Sequence, residues 1–351
     1  MRDWRTDPTF AMCRALADGA DPASFAGGAF DVRAVVAGIR SDARHGVLLD
    51  AVPWGNFPHG GDAREAVHLL RTGADSARTP TDVLGGLCAN DSRAAAALAV
   101  PFLIPLAADA HHPHRAAALA VLSGPARARH HGVASRDELL LHRNDPRRHA
   151  PDGYDGYGVE VTGYPAGWSV AAARAAITAG APVLLPLLGD SDPAVRMDAA
   201  YALATAADPD RTIRTAFATA FATGFAAGFA AERDAMVRAA LLLAVAETAR
   251  AHVQPSAVSW FRERWQDRTE APEARLAAAI GWLCLTDEPA PEDLHRTVDS
   301  FATDERAHAM EVLPWMCAAA GAGEPGLLRC VRRMLHPEEP EPCDDPWGSS
   351  P

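Results

Sequence analysis

Residues 180–187 read Gly-Ala-Pro-Val-Leu-Leu-Pro-Leu, and residues 99–106, which lie 81 positions earlier, read Ala-Val-Pro-Phe-Leu-Ile-Pro-Leu. An aspartate follows each stretch, and an arginine follows that aspartate at the same distance in both copies. These residues are Asp109 and Arg115 in the first copy, and Asp190 and Arg196 in the second. Self-similarity at a fixed spacing is the mark of repeat architecture. The sequence therefore predicts a protein that is built from stacked copies of one structural unit.

The composition favours α-helices for that unit. Hydrophobic residues make up 48% of the 351 residues, and alanine, the strongest helix former, is heavily used. The β-branched and aromatic residues that are typical of strands are too sparse for a β protein of this size. The hydrophobic periodicity indicates about seven helical hairpins. We therefore predict an all-α protein whose hairpins stack in a row as an α-solenoid.

Three parts of the chain are expected. Residues 1–29 are a weakly patterned N-terminal segment, residues 30–336 form the helical stack, and residues 337–351 are an acidic, Pro-rich tail that we expect to be disordered. A loop insertion at residues 143–167 interrupts the hairpin rhythm between the third and fourth hairpins. The predicted helices of the third, fourth and seventh hairpins cover 92–108 and 114–122, 168–188 and 194–206, and 291–302 and 305–319.

The two copies resemble the HEAT repeat, an antiparallel helix pair with a proline in the first helix, an aspartate eight residues later and a Val-Arg pair ending six residues beyond it. The second copy fits every position of that pattern: Pro182, Asp190, Val195 and Arg196. In the first copy, His114 stands where valine is expected. The fifth hairpin keeps Val237-Arg238, and the sixth has the weaker Ala274-Arg275, with Thr269 at the aspartate position. Residues 190–196 are also similar to short bacterial variants of the repeat named after phycobilisome lyases.

This resemblance implies a right-handed α-solenoid of HEAT-like hairpins and a structural role for the repeated charges. In HEAT proteins the aspartate and the arginine pair between neighbouring repeats. The resemblance thus assigns Asp109, Arg115, Asp190 and Arg196 to a ladder of ion pairs rather than to catalysis.

The charge and the cysteines limit the partners and the location. A net charge of −12 disfavours a protein whose main task is to bind phosphate backbones. The six cysteines are scattered without a C-x-x-C motif, and the N-terminus has no signal-peptide hydrophobic region, so a cytoplasmic location is expected. All 33 basic residues are arginine, which is typical of a GC-rich bacterial genome. Residues 215–231 are free of charge but short for a bilayer, and we expect a buried helix there and no membrane partner.

No motif in the sequence carries a recognisable chemistry. The chain has no Gly-x-Ser-x-Gly elbow, no P-loop and no G-x-G-x-x-G fingerprint. Seven histidines fall between positions 111 and 149, but no His-x-x-x-His helix face or His-Glu pair accompanies them. We predict no metal, no cofactor and no catalytic residue. Whether the chain is an enzyme stays open, and the sequence favours one that is not.

The loop insertion holds the strongest candidates for contact with a partner. Tyrosine, tryptophan and arginine dominate binding hot spots, and they are concentrated in and beside this loop. The candidate residues are Arg147, Arg148, His149, Tyr154, Tyr157, Tyr164 and Trp168. The alternative is a lid whose aromatic side chains pack back onto the helices. A second aromatic loop at 54–59 is a weaker candidate.

The sequence as a whole favours a non-enzymatic scaffold or adaptor. Such a protein would bind another macromolecule, most readily a protein, through its concave face and the loop at 143–168. One alternative is a HEAT-like DNA glycosylase or another nucleic-acid repair protein, which an arginine-lined concave face would favour. The other is a chaperone for a bilin chromophore, which predicts an apolar cleft.

Overall fold

The computed structural model describes residues 32–39, 46–57, 59–73, 79–89, 93–127, 132–141, 168–206, 234–252, 255–321 and 323–339. These residues form fifteen α-helices and three short 3-10 helices, and no strand occurs among them. The prediction of an all-α protein is confirmed. The N-terminal segment 1–29, the loop insertion 143–167 and the tail beyond residue 339 lie outside the described residues.

The described helices belong to two compact units. The first unit takes Met1–Ala128, Arg143–Ser191 and Thr205–Ile213, and the second takes Arg129–His142, Asp192–Ala204 and Arg214–Pro351. The division falls between the two helices of the fourth predicted hairpin. The sequence predicts one continuous stack over 30–336, and that continuity stays a prediction.

The first unit contains seven of the helices. They are α1 (Val32–Gly38), α2 (Gly46–Ala51), α3 (Gly60–Thr72), α4 (Pro80–Ala89), α5 (Arg93–Ala108), α6 (Arg115–Leu122) and α7 (Trp168–Leu184). Helix α5 is the centre of this unit, because α1, α3, α4, α6 and α7 all pack against it. Its residues from Ala94 to Val100 are buried on every side, as expected for a helix in the interior of a stack.

The second unit contains the remaining eight helices. They are α8 (Pro193–Ala204), α9 (Ala235–His252), α10 (Pro255–Gln266), α11 (Pro272–Leu285), α12 (Glu292–Phe301), α13 (Asp304–Met310), α14 (Pro314–Ala319) and α15 (Gly326–Leu335). Helix α11 is central here and packs against α9, α10, α12 and α15. Trp265, Trp282 and Trp315 fill the core with fully buried rings.

Prolines explain where the observed helices depart from the predicted ones. The third hairpin agrees with prediction to within one residue, but the predicted helix 168–188 ends at Leu184 and continues as a 3-10 helix, Leu185–Gly189. Pro186 cannot donate a backbone hydrogen bond there. The prediction of one helix over 305–319 is wrong. Pro314 lacks an amide hydrogen, so Leu313 becomes extended and α13 and α14 are separate helices.

Candidate functional site

The predicted partner-contacting residues lie almost entirely outside the described residues. Arg147, Arg148, His149, Tyr154, Tyr157 and Tyr164 fall in the segment 142–167. Trp168 is the first residue of α7. Their role in partner contact stays a prediction.

The second aromatic loop does not present its rings to a partner. Trp54 and Phe57 are each only 4% exposed. The Trp54 indole N–H donates to the backbone oxygen of Leu49 at 2.8 Å, and its ring lies 6.0 Å from that of Phe102. These aromatic side chains therefore belong to the core of the first unit.

An arginine in the first unit joins the two sequence copies. Arg115, the first residue of α6, donates from Nη2 to Asp190 Oδ2 at 2.5 Å and from Nε to the backbone oxygen of Ala107 at 3.1 Å. Both charged side chains are largely buried, with exposed fractions of 14% and 16%. The guanidinium thus binds the end of its own hairpin's first helix and the carboxylate of the other copy.

The second unit contains two similar contacts, one to a carboxylate later in the chain and one to a carboxylate earlier in the chain. Arg238, in the first turn of α9, binds both carboxylate oxygens of Glu270 at 2.5 Å. Arg306, in the first turn of α13, donates to Glu273 Oε1 at 2.9 Å and to the backbone oxygen of Phe301 at 2.7 Å. Each pair links residues about one hairpin apart, which is the spacing expected if neighbouring hairpins are tied together at their turns.

Arg275 binds a backbone oxygen at the end of the preceding helix, as Arg115 and Arg306 also do. From the first turn of α11 it donates to the backbone oxygen of Trp265, in the last turn of α10, at 3.0 Å. Its guanidinium lies 4.8 Å from the centre of the Phe301 ring, within the range of a cation–π interaction. Sequence analysis placed Thr269 at the aspartate position of this hairpin, but the carboxylates that the arginines bind are those of Glu270 and Glu273.

The other two predicted ladder residues lie in different surroundings. Asp109 is exposed and accepts a hydrogen bond from the backbone N–H of His111 at 3.0 Å, which stabilises the turn before α6. Arg196 lies on α8 in the second unit and is partly buried. Its assignment to the ladder stays a prediction.

We expect the Arg115→Ala substitution to lower the free energy of unfolding by about 2 kcal/mol, because it leaves the largely buried Asp190 carboxylate without this donor. Urea unfolding followed by circular dichroism measures the loss. Arg262→Ala, at an exposed position of α10, is the matched control and should change stability by less than about 0.5 kcal/mol. Equal midpoints for the two variants would show that the contact does not stabilise the fold.

A non-helical segment of the second unit, 132–141, leads directly into the loop insertion. Arginines from two helices bind its backbone. Arg329 donates to the oxygen of Gly132 at 2.8 Å, and Arg250 donates to the oxygen of Arg136. Three leucines at the end of the segment are buried. These contacts fix the described segment 132–141 against α9 and α15.

One carboxyl group of the second unit stands out electrostatically. Asp198 lies on α8 among apolar residues, and burial raises the pKa of its carboxyl from 3.8 to about 6, with a smaller contribution from the negative charge of Asp192. Groups with strongly perturbed pKa values are candidates for a functional role. The signal in the sequence is a single aspartate in an otherwise apolar helix face, and sequence analysis missed it.

The same helix contributes an aromatic ring to the core beside a buried carboxylate. Tyr201, one turn after Asp198, packs edge-on against Trp315 with ring centres 4.7 Å apart. The Trp315 indole N–H donates to Glu247 Oε2 at 2.8 Å, and Glu247 is fully buried. Buried carboxylates require such donors. The ring contact joins α8 to α14, and the hydrogen bond joins α14 to α9.

The first unit contains a cavity of about 590 Å³ between α1, α5 and α7. This volume falls in the range of small-molecule binding sites. Val36 of α1, Ile39 just after it, and Pro101 and Ile104 of α5 line the cavity, and α7 contributes only alanines and one glycine to the described lining. Arg33, at the exposed edge, is the one charged side chain among its described lining residues.

Metal and thiol chemistry find little support in the part of the chain that the structure describes. No three His, Cys, Asp or Glu side chains converge there in a way that could hold a metal ion. Burial raises the pKa of the Cys284 thiol to about 12 and that of Cys330 still further above its usual range. Raised thiol pKa values make both cysteines poor nucleophiles.

One helical stretch among the described residues, Ser169–Gly189, is long and apolar enough to cross a membrane. Its mean hydropathy is 1.6, and 44% of the window is buried inside the protein. Core helices also pass this test, and α7 packs against α1 and α5. The stretch 215–231, which sequence analysis predicts as a buried helix, lies outside the described residues.

Comparison with known proteins gives no relative. No protein-family model, no curated protein and no solved structure matches this chain.

Proposed function

We propose that this chain is a non-enzymatic scaffold of HEAT-like hairpins that binds another protein. The observation that carries the proposal is the arginine contact at the hairpin turns, in which Arg115 binds Asp190, Arg238 binds Glu270 and Arg306 binds Glu273. In each contact an arginine from the first turn of a helix binds a carboxylate about one or more hairpins away, and such ties are what a stacked repeat requires. Arg115 and Arg238 reach a carboxylate later in the chain, and Arg306 reaches one earlier. In this proposal the hairpins form a right-handed α-solenoid whose concave face is open to a partner.

The charge of the chain favours a basic partner protein over nucleic acid. A net charge of −12 attracts a cationic surface and repels a phosphate backbone. The loop at 143–168 supplies the specific contacts in this proposal, with arginine and tyrosine side chains that can be desolvated at an interface. In the chain, this loop follows the segment 132–141 and precedes the body of α7.

The loop is tested by replacing Arg147, Tyr154 and Tyr157 with alanine together. We expect this variant to keep its helicity and to bind the partner at least tenfold more weakly, because several hot-spot side chains are removed at once. Affinity capture from the native host identifies the partner, and titration of the purified pair measures the change.

A double variant at exposed positions of the second unit, Arg262→Ala with Arg268→Ala, serves as the control and should bind like the unaltered chain. Undiminished affinity of the loop variant would remove the loop from the proposal. Capture of nucleic acid rather than protein would replace the proposed partner.

A further inference from the structure

We propose that the cavity between α1, α5 and α7 binds a single-chain aliphatic carboxylate, such as a fatty acid of medium length. This ligand site goes beyond the scaffold function and does not depend on it. The described residues that line the cavity all belong to the first unit, and they come from three helices that pack directly against one another and from Ile39 just after α1.

The apolar part of the site follows from the small side chains of α7. Six residues of α7 line the cavity, and every one is alanine or glycine, so the wall stops at the Cβ atoms and leaves space between the helices. On the opposite walls, Val36, Ile39 and Ile104 present branched aliphatic groups. These surfaces match a flexible alkyl chain, which gains affinity in proportion to the apolar area that it buries.

Two walls of the cavity approach each other closely where α7 crosses α5. A Cβ atom at Gly180 of α7 would lie 2.6 Å from Cδ1 of Ile104 on α5, so a larger residue at this position would displace the Ile104 side chain that lines the cavity. The absence of a side chain at Gly180 therefore lets Ile104 keep its place in the lining.

The charged part of the site is the guanidinium of Arg33 at the exposed edge of α1. A guanidinium recognises a carboxylate through two parallel hydrogen bonds. The described lining is aliphatic apart from this cation, so it suits one carboxylate on an aliphatic chain. The head group would stay at the solvent edge, and the chain would enter the cavity.

The experiment measures binding of dodecanoate, octanoate and dodecanol to the full chain by isothermal titration calorimetry below their aggregation concentrations. We expect saturable binding of dodecanoate, and an affinity that rises about fourfold for each methylene between octanoate and dodecanoate while the chain stays inside the cavity. The Arg33→Gln substitution should lower the affinity for dodecanoate about two- to fivefold, a modest effect because the ion pair lies at an exposed edge. The affinity for dodecanol should not change.

Two substitutions fill the cavity at exposed alanines of α7: Ala175→Trp and Ala179→Phe. Each should lower the affinity for dodecanoate at least tenfold. The control is Val183→Trp, at a position of the same helix that is 41% exposed and outside the described cavity lining, and this variant should bind dodecanoate normally. Circular dichroism checks that the variants fold. Equal binding by the filled and control variants would overturn the site, and equal binding of dodecanoate and dodecanol by the unaltered chain would overturn the role of Arg33. Neither result bears on the proposal that the chain binds a protein, which the loop variant tests separately.

Discussion

Replacing Gly326 with alanine is expected to lower the free energy of unfolding of the second unit by about 3 kcal/mol or more. Gly326 is the first residue of α15 and is buried against the end of α14. A Cβ atom at this position would overlap the backbone oxygen of Met316 and lie 2.7 Å from its carbonyl carbon. Because the obstacle is backbone rather than the end of a flexible side chain, the two helices would have to separate.

The measurement is urea or thermal unfolding, with a second glycine as the matched control. Gly86 lies inside α4, is exposed, and has nothing within 4 Å of a Cβ atom built on it. Gly86→Ala should therefore stabilise the protein by about 0.5–1 kcal/mol, since alanine favours the helix. If Gly326→Ala unfolds at the same urea concentration as the unaltered chain, the close approach of α14 and α15 is wrong.

Replacing Asp198 with asparagine is expected to stabilise the protein, by roughly 2–3 kcal/mol at neutral pH. Burial raises the pKa of this carboxyl from 3.8 to about 6, so its ionised form is disfavoured in the folded state. Between these two values the folded state binds more protons than the unfolded one, and stability falls as the pH rises. Above pH 6 the full cost is present, and below about pH 4 it vanishes.

Unfolding measurements at pH 7.5 and at pH 4 test whether the ionised Asp198 carboxylate lowers the stability. Asp198→Asn should gain stability at pH 7.5 and gain little at pH 4, whereas Asp299→Asn, at an exposed position of α12, should change little at either pH. A gain of the same size at both values would show that the ionised carboxyl is not the cause. A loss at pH 7.5 would show that the carboxylate stabilises the fold.

Several elements were predictable because their signals are local. The third hairpin, α5 and α6, follows from a run of alanines, and its helices begin and end within one residue of prediction. Arg115 and Asp190 were singled out by their repeated spacing, and the structure places them in contact. The wrong predictions also have physical reasons. The prediction of one helix over 305–319 did not allow for the missing amide hydrogen of Pro314, and the loop at 54–59 was considered for partner contact although Trp54 is buried.

The sequence by itself determined the helical class, most helix positions and the repeated Asp-Arg pattern, because helix formation depends on neighbours within a few residues. Only the tertiary structure decided that Arg238 and Arg306 bind Glu270 and Glu273, that α7 leaves a cavity beside α1, and that the pKa of Asp198 is raised. These properties depend on which side chains meet across helices and on how far water is excluded. Both depend on groups that are distant along the chain, so no local pattern encodes them.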